Sequence, residues 1–308
     1  MDPFRIIVLL VALLSMSISG PTIRFAAASA LAVVVWRVCL AWPVLACGAL
    51  VRRDAWPLRQ GLAAGLFLAV HWLSWVLAVQ STSIASASLL IDTGALWAAL
   101  LSRPLLHEPV SRRQWLGLGL ALVGVALVVT VRHGPGHALR GDLFALLGSF
   151  AWVAYTFIGR RARQQSGFWG YTATVYLATS IVSVGAALLW RAPLWGFDPR
   201  TTIALVVLAI FPTLLGHGSC NYLLRYIGPA RLSLWTLGEP ILATLYAWPL
   251  FGEVPTVHIV IGGLTTLAGV ALGVWEPSTD ASTDHRSERG SSDGIQRGTG
   301  NREPGTGK

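Results

Sequence analysis

Charged residues are scarce in this chain. Only 12% of its 308 residues are Asp, Glu, Lys or Arg, whereas 54% are hydrophobic. An ordinary soluble domain has about 25% charged residues, so the composition excludes that class. Apolar runs of about 20 residues recur from end to end, and each is long enough to cross the hydrocarbon core of a bilayer. The composition therefore predicts an all-α integral membrane protein.

Cysteines and the motifs of enzymes are also sparse or missing. Cys39, Cys47 and Cys220 all lie inside apolar runs, where they act as small hydrophobic residues and imply neither a disulfide nor a metal framework. The sequence has no Ser-His-Asp set with a nucleophile turn, no metal-ligand cluster and no Walker loop. We therefore expect no enzymatic activity, no catalytic residues, no metal and no cofactor. The missing nucleotide domain argues against an ATP-driven pump.

Ten hydrophobic spans separated by short loops are visible in the sequence. They cover, within a few residues, 4–23, 31–50, 61–79, 84–101, 114–131, 142–159, 170–190, 202–224, 230–251 and 257–275. The first span resembles a cleaved signal peptide, but its removal would leave an odd number of helices, so we expect it to be retained. Residues 276–308 contain almost no apolar side chains and are predicted to form a disordered cytoplasmic tail.

An internal repeat relates the two halves of the chain. A shift of 145 positions superimposes residues 85–129 on 230–274 with 15 of 45 residues identical. The paired landmarks include Ser88/Ser233, Pro104/Pro249, Glu108/Glu253, Gly117/Gly262 and Gly124/Gly269. Because each copy holds five predicted helices, an odd number, the copies must have opposite orientations. We predict two inverted five-helix repeats, 1–131 and 132–275, with a binding site at their interface, as is typical of transporters.

Basic residues are distributed unevenly between alternate loops. With the N-terminus placed inside, the inner short segments hold 12 arginines and the outer segments hold 5. By the positive-inside rule, both termini are expected in the cytoplasm. This distribution also accounts for the net charge of +9 without nucleic acid as a partner; the partner is the lipid bilayer.

Several short motifs are spread along the chain: Pro104-x-x-x-Glu108, Trp36-Arg37, His71-x-x-x-Trp75, Thr82-Ser83-Ile84-Ala85, Gly141-Asp142, Tyr155, Gly216-His217-x-x-x-Asn221 and Leu237-Gly238-Glu239-Pro240. Together, over roughly residues 5–275, they resemble the motifs of the EamA-type (drug/metabolite transporter) superfamily of ten-helix membrane carriers. The resemblance implies a bacterial plasma-membrane carrier of small metabolites, usually an exporter, with its cavity between the halves. Where the family often has a proline in the fourth helix, this chain has Asp92-Thr93-Gly94-Ala95.

Two acidic residues lie near the centres of predicted spans. An ionised Glu239 would cost at least ~2.5–3.5 kcal/mol there on insertion scales, so it should face a cavity, bind a partner or carry a proton. Pro240 removes the helical partner of the Thr236 carbonyl at the same level. Asp92 lies at a comparable depth. Each acid is a candidate for binding substrate or protons; the alternatives are a structural Glu239 bonded to a neighbouring helix and an ion pair between Asp92 and Arg37.

Polar and aromatic residues supply the other candidates. His217 and Asn221 share one helix face and either contribute to the site or join the eighth span to the ninth. His71 and Trp75 repeat this spacing in the third span, with packing as the alternative. Arg37 is either a counter-ion for a carboxylate or reaches the outer headgroups.

Tyr155 and Trp152, both in the sixth span, are weaker candidates of the same kind as Trp75. Glu108 and Glu253 lie at helix ends and are expected to cap or pair locally. The glycines of the fifth and tenth spans suit close helix packing, in a scaffold or a homodimer contact.

We therefore expect a secondary transporter that moves a small metabolite outward by alternating access, with proton exchange as a hypothesis. The class of substrate (amino acid, amine or drug-like compound) stays open. One alternative is a facilitator that needs no ion, and another is a membrane scaffold or receptor that does not transport. A membrane enzyme acting on lipid-linked substrates would place its polar groups at the interface and not at mid-membrane.

Overall fold

The described part of the computed structural model covers residues 2–82, 84–130, 139–251 and 257–274, and within these ranges there is no β-strand. The α-helices are α1 (Pro3–Ser17), α2 (Ser19–Phe25), α3 (Ala30–Arg52), α4 (Leu58–Ser81), α5 (Ile84–Asp92), α6 (Gly94–Leu101), α7 (Arg112–Thr130), α8 (Leu139–Gln165), α9 (Phe168–Leu189), α10 (Pro199–Leu208), α11 (Gly218–Leu223), α12 (Pro229–Thr236), α13 (Glu239–Phe251) and α14 (Val257–Val274). Two π-helical segments, Ser102–Leu106 and Ala209–His217, continue α6 and α10.

Among the described residues, six helical stretches are long and apolar enough to cross a membrane. They are Pro3–Phe25, Ala30–Arg52, Leu58–Ser81, Leu139–Gln165, Phe168–Leu189 and Pro199–Leu223. The all-helical class and these six stretches agree with the sequence, whereas the count of ten spans and the inverted repeat stay predictions. The predicted tail, 276–308, and the predicted boundary after residue 131 lie outside the described residues.

Two predicted spans are broken near their centres. The span 84–101 divides at Thr93, between α5 and α6, and the span 230–251 divides between α12 and α13. Thr93 and Gly238 are 145 positions apart, so both breaks fall at the same place in the repeat. Pro240 occupies the first turn of α13, where a missing N–H disrupts no hydrogen bond. The two breaks place Asp92 and Glu239 at helix ends.

Helices α7 and α14 pack with their backbones in close contact. A Cβ atom on Gly117 would lie 2.5 Å from the carbonyl oxygen of Gly269, and one on Gly124 would lie 2.6 Å from that of Gly262. Gly119, on another face of α7, has no such neighbour within 4 Å. The outward faces of the two helices carry exposed apolar side chains: Leu116, Leu120, Val123, Val260, Ile261, Leu264 and Leu267. Such a surface is suited to lipid.

Glu108 forms a long-range ion pair. Its Oε1 accepts a hydrogen bond of 2.7 Å from Nε of Arg160, 52 positions away near the end of α8. Nη1 of Arg160 also donates to the carbonyl oxygens of Leu224 and Arg225. The expected local pair of Glu108 is therefore wrong, because folding brings the end of α8 beside the segment that follows α6. Glu253 lies outside the described residues.

Candidate functional site

A cavity of about 70 Å³ lies among α1–α6, α8, the π-helical segment Ala209–His217, α12 and α13. Its lining comes from both predicted halves of the chain. Six of the eight predicted site residues line it: Arg37, His71, Trp75, Asp92, His217 and Glu239. Their roles stay predictions, but residues far apart in sequence meet at one place.

The two helix breaks give the acids of the cavity different surroundings. Asp92 is the last residue of α5, and its Oδ2 atom is buried without a hydrogen-bond partner. Glu239 is the first residue of α13, where the N-terminus of a helix stabilises a negative charge. The Glu239 carboxylate also interacts electrostatically with Asp92 and with Arg37. The site thus provides one carboxylate supported by positive charge and a second one near it.

Arg37 is buried in the protein and does not reach the headgroup region. Its side chain is 1% exposed, and its Nε donates a 2.9 Å hydrogen bond to Oγ1 of Thr213. The guanidinium carbon lies 4.6 Å from the ring centroid of Trp72, a cation–π contact. Nη1 has no hydrogen-bond partner. The described residues include no salt bridge between Arg37 and Asp92, and the burial of Arg37 argues against the headgroup alternative. Its role as a counter-ion for a carboxylate substrate stays a prediction.

His217 lies among aromatic rings at the end of the π-helical segment. Nε1 of Trp72 donates to its Nε2 over 3.0 Å. The centroid of its ring lies 4.8 Å from that of Trp72, 5.5 Å from that of Trp152 and 5.9 Å from that of His71. Among the two alternatives for His217, the one that joined the eighth span to the ninth differs from these contacts, because the hydrogen bond of His217 is to Trp72 on α4. A π-helical turn, as found here around Pro212, frequently accompanies a functional site.

His71 and Trp75 lie one turn apart on α4, and each forms a contact with another helix. Nδ1 of His71 lies 2.8 Å from the carbonyl oxygen of Gly148 on α8, so that nitrogen carries the proton. Nε1 of Trp75 donates to Oγ of Ser19 at 3.4 Å. These contacts position both side chains while leaving them in the cavity wall.

Tyr155 and Asn221 lie outside the cavity lining. The Tyr155 hydroxyl donates a 2.7 Å hydrogen bond to Oδ1 of Asn221, and both residues have no exposed surface. The Tyr155 ring contacts those of Trp152 and His217. The pair therefore supports the wall from behind, and its predicted direct role in binding has no support in the geometry.

Two residues with a part in this arrangement, Trp72 and Thr213, were not predicted from the sequence, whereas Trp152 was a weaker candidate and lines the cavity. Trp72 contacts both Arg37 and His217, Trp152 donates to Oγ of Ser233 across the cavity, and Thr213 anchors Arg37. A tryptophan inside an apolar helix carries little local signal.

The cavity combines three kinds of groups. Arg37 and His217 offer hydrogen-bond donors, Asp92 and Glu239 offer carboxylates, and tryptophan rings form apolar walls. Such a mixture suits a small polar or amphipathic molecule. Within the described ranges, no group of three or more His, Cys, Asp or Glu side chains could hold a metal ion.

Comparison with known proteins provides the family. Residues 3–130 and 139–275 each match the EamA-like transporter family. The chain is 26% identical over 201 residues to an uncharacterized transporter, YdfC, of Bacillus subtilis, in a match that covers 63% of each chain. It is 25% identical over 200 residues to a probable amino-acid metabolite efflux pump of Salmonella typhimurium, covering 61% of this chain and 67% of that one. An inner membrane transporter of Escherichia coli, YedA, is 24% identical over 225 residues, covering 71% and 68%.

A crystal structure shares the fold. The structural alignment includes 87% of this chain and 96% of the chain in the crystal structure, with a TM-score of 0.74 and 20% sequence identity. The sequence matches span about two thirds of the relatives' lengths, and 63% of the Bacillus protein. The two matched segments together include most of the chain and all of the described cavity. This chain belongs to the EamA-like transporter family.

Proposed function

We propose that the protein is a secondary transporter of the bacterial inner membrane that exports a small metabolite by alternating access, in exchange for protons. The observation that carries the proposal is the cavity in which Asp92, Glu239 and Arg37 meet between the predicted halves. Charged side chains within membrane-spanning helices are expensive and mark substrate or ion pathways. The distribution of arginines supports an orientation with both termini in the cytoplasm.

Reciprocal contacts between α7 and α14 support two inverted five-helix repeats as the moving parts. Gly117 and Gly124 correspond to Gly262 and Gly269 in the repeat. Gly117 approaches Gly269, and Gly124 approaches Gly262. In a two-fold contact, residue i of one unit meets residue j of the other and j meets i. The contacts have this reciprocity, and Thr266 donates to the carbonyl oxygen of its own counterpart, Ala121.

Proton exchange is assigned to the two acids. Burial favours the protonated form of Glu239, whereas the charge of Arg37 and the start of α13 favour the ionised form, so a change in these surroundings during the transport cycle would change its affinity for protons. Asp92 lies at the end of α5 and is opposed by the charge of Glu239. A carrier that alternates between two openings can then load a proton on one side and release it on the other.

The substrate class is proposed to be an amino acid or a related metabolite. Opposite charges and aromatic walls in one cavity suit a molecule that carries both an ionic group and an apolar part. The Salmonella relative is named a probable amino-acid metabolite efflux pump, which agrees with that choice. A homodimer through the apolar outer faces of α7 and α14 stays a proposal.

Transport in proteoliposomes tests the proposal. Purified protein should move radiolabelled amino acids, and a pH gradient should raise the rate of uptake against their concentration gradient. Equal rates with and without the gradient would favour an ion-independent facilitator. No flux of any compound in a panel of amino acids, amines and drugs would favour a scaffold or receptor. A toxicity-rescue screen in cells with and without the gene would choose the panel.

A further inference from the structure

The protonation of His217 follows from its contact with Trp72. An indole N–H can only donate, so Nε2 of His217 must accept the 3.0 Å hydrogen bond and carries no proton. The hydrogen-bond network therefore assigns the neutral tautomer with its proton on Nδ1. The His217 side chain is only 3% exposed, and its Nδ1–H is buried with no acceptor among the described residues.

Arg37, which also contacts Trp72, likewise has a buried hydrogen-bond donor without an acceptor. Thr213 accepts from Nε, and the ring of Trp72 covers one face of the guanidinium, but Nη1 is buried without an acceptor. Buried donors are nearly always hydrogen-bonded in native proteins, because an unmade bond leaves the full desolvation penalty. Both residues line the cavity, and both contact Trp72. Their two unsatisfied donors therefore indicate that one ligand in the cavity supplies the acceptor for both.

We propose that Arg37 and His217 form a carboxylate subsite of the cavity and that Trp72 positions both of its donors. A guanidinium binds carboxylates strongly through charge-assisted hydrogen bonds, and the imidazole N–H adds a second directed donor. The inference rests on the proposed transport function for its role, because the ligand would be the exported molecule.

The other histidine of the cavity cannot replace His217 in this subsite. The Nδ1–H of His71 is already bound by the carbonyl oxygen of Gly148, so a neutral His71 has only a lone pair, on Nε2, to offer. Asp92 and Glu239 in their ionised forms would repel a carboxylate ligand and attract a cationic group. The donors on Arg37 and His217 thus specify where an anionic group is placed, and the acids face a cationic group of the same molecule.

Three probes of nearly equal shape separate the contributions to binding. Leucine carries both charged groups, 4-methylpentanoate only the carboxylate and 3-methylbutan-1-amine only the ammonium group. Their affinities for the purified full-length chain in nanodiscs would be measured by isothermal titration calorimetry. Leucine and 4-methylpentanoate should bind, and the amine should bind at least about 10-fold more weakly than leucine.

Substitutions then assign the preference to the subsite. Arg37→Gln and His217→Phe should each weaken both carboxylate probes on the order of 10-fold. Trp72→Phe keeps the ring but removes the N–H, and should weaken them in the same direction; Arg37→Lys keeps the charge and should have an intermediate effect. Trp42→Phe is the matched control, because Nε1 of Trp42 has no hydrogen-bond partner and the residue does not line the cavity. Melting temperatures near that of the wild type establish that each variant is folded.

The results also separate the subsite from the transport proposal. Tighter binding of the amine than of 4-methylpentanoate, binding of none of the three probes, or full affinity in folded Trp72→Phe would overturn the subsite. If leucine binds through Arg37 but proteoliposomes show no flux, the transport proposal fails and the subsite stands. If proteoliposomes show flux but the three probes show no preference for a carboxylate, the transport proposal stands and the subsite fails.

Discussion

The contact between α7 and α14 and the cavity use the repeat in opposite ways. Along α7 and α14, corresponding residues are identical: Gly117 matches Gly262, and Gly124 matches Gly269. In the cavity the corresponding residues differ, since neither Asp92 nor Glu239 has an acid at the corresponding position of the other copy. The contact between helices needs the same small residue on both sides, because two backbones approach each other. The cavity needs different groups to distinguish the two ends of a ligand.

This contrast explains how a repeated chain can build an asymmetric site. The acids show it most clearly, because Asp92 corresponds to Leu237 and Glu239 to Gly94. Both breaks in the helices are retained at the same place in the repeat, but one acid follows a helix and the other begins one. Backbone geometry is therefore shared by the halves, while the chemistry on it is not.

The largest effect is expected from filling the contact between α7 and α14. Gly117→Ala and Gly124→Ala would each place a methyl group within about 2.6 Å of backbone atoms of α14, so helices must separate. We expect a loss of roughly 1–3 kcal/mol per site in the free energy of unfolding, and a larger loss in the double variant. Thermal unfolding in detergent measures it. Gly119→Ala on the same helix, with open space around it, should unfold near the wild-type temperature; equal losses for all three would contradict the packing.

Removing the charge of Glu239 should abolish the response to pH without unfolding the protein. Glu239→Gln keeps the shape of the side chain but cannot carry the coupled proton, so uptake driven by a pH gradient should fall at least about 10-fold. Proteoliposome assays at several external pH values would measure this. Glu108→Gln is the matched control, because the Glu108–Arg160 pair is outside the cavity. Normal transport by Glu239→Gln at every gradient would exclude the proton role.

The hydrogen bond between Tyr155 and Asn221, outside the cavity lining, should contribute more to stability than to ligand affinity. Tyr155→Phe removes the donor to Asn221 and leaves a buried acceptor unpaired, with an expected loss of about 1–3 kcal/mol in the free energy of unfolding. Tyr171 offers the control, since its hydroxyl is buried without a hydrogen-bond partner and Tyr171→Phe should be neutral or stabilising. Chemical or thermal unfolding compares the two. A change in ligand affinity with unchanged stability in Tyr155→Phe would instead place Tyr155 in the binding site.

The smallest effect is expected at the exposed start of α10. Hydrogen bonds from the side chain and backbone of Thr201 hold the pKa of Asp198 below its ordinary value of 3.8. A lowered pKa stabilises the fold above the unfolded-state value, and this contribution is lost as the pH falls through the folded-state value. Asp198→Ala should therefore lower the melting temperature slightly at neutral pH, with the difference shrinking below about pH 4. Asp198→Asn retains the cap and should not show that pH dependence.

The sequence predicted the helical class and the acids but not the contacts between them. Hydropathy detects a span because each residue contributes to it locally, and an acid within a span stands out for the same reason. The breaks at Thr93 and between α12 and α13 are hidden from a hydropathy average, because each occupies only one or two residues of a span of about 20. Trp72 was missed because its partners, Arg37 and His217, are distant in sequence. Tyr155 and Asn221 were predicted to be site residues, but they lie outside the cavity lining, where the Tyr155 hydroxyl donates to Oδ1 of Asn221.

Accessibility of the cavity from both sides of the membrane tests the central claim most directly. A single cysteine at Ala95, which lines the cavity, would be introduced after replacement of Cys39, Cys47 and Cys220. A membrane-impermeant thiol reagent, added to either face of oriented vesicles, would measure its reactivity. The account predicts labelling from each side, with substrate or a pH gradient shifting the ratio, and none at a cysteine in place of Gly119. Labelling from one side only under every condition would contradict alternating access.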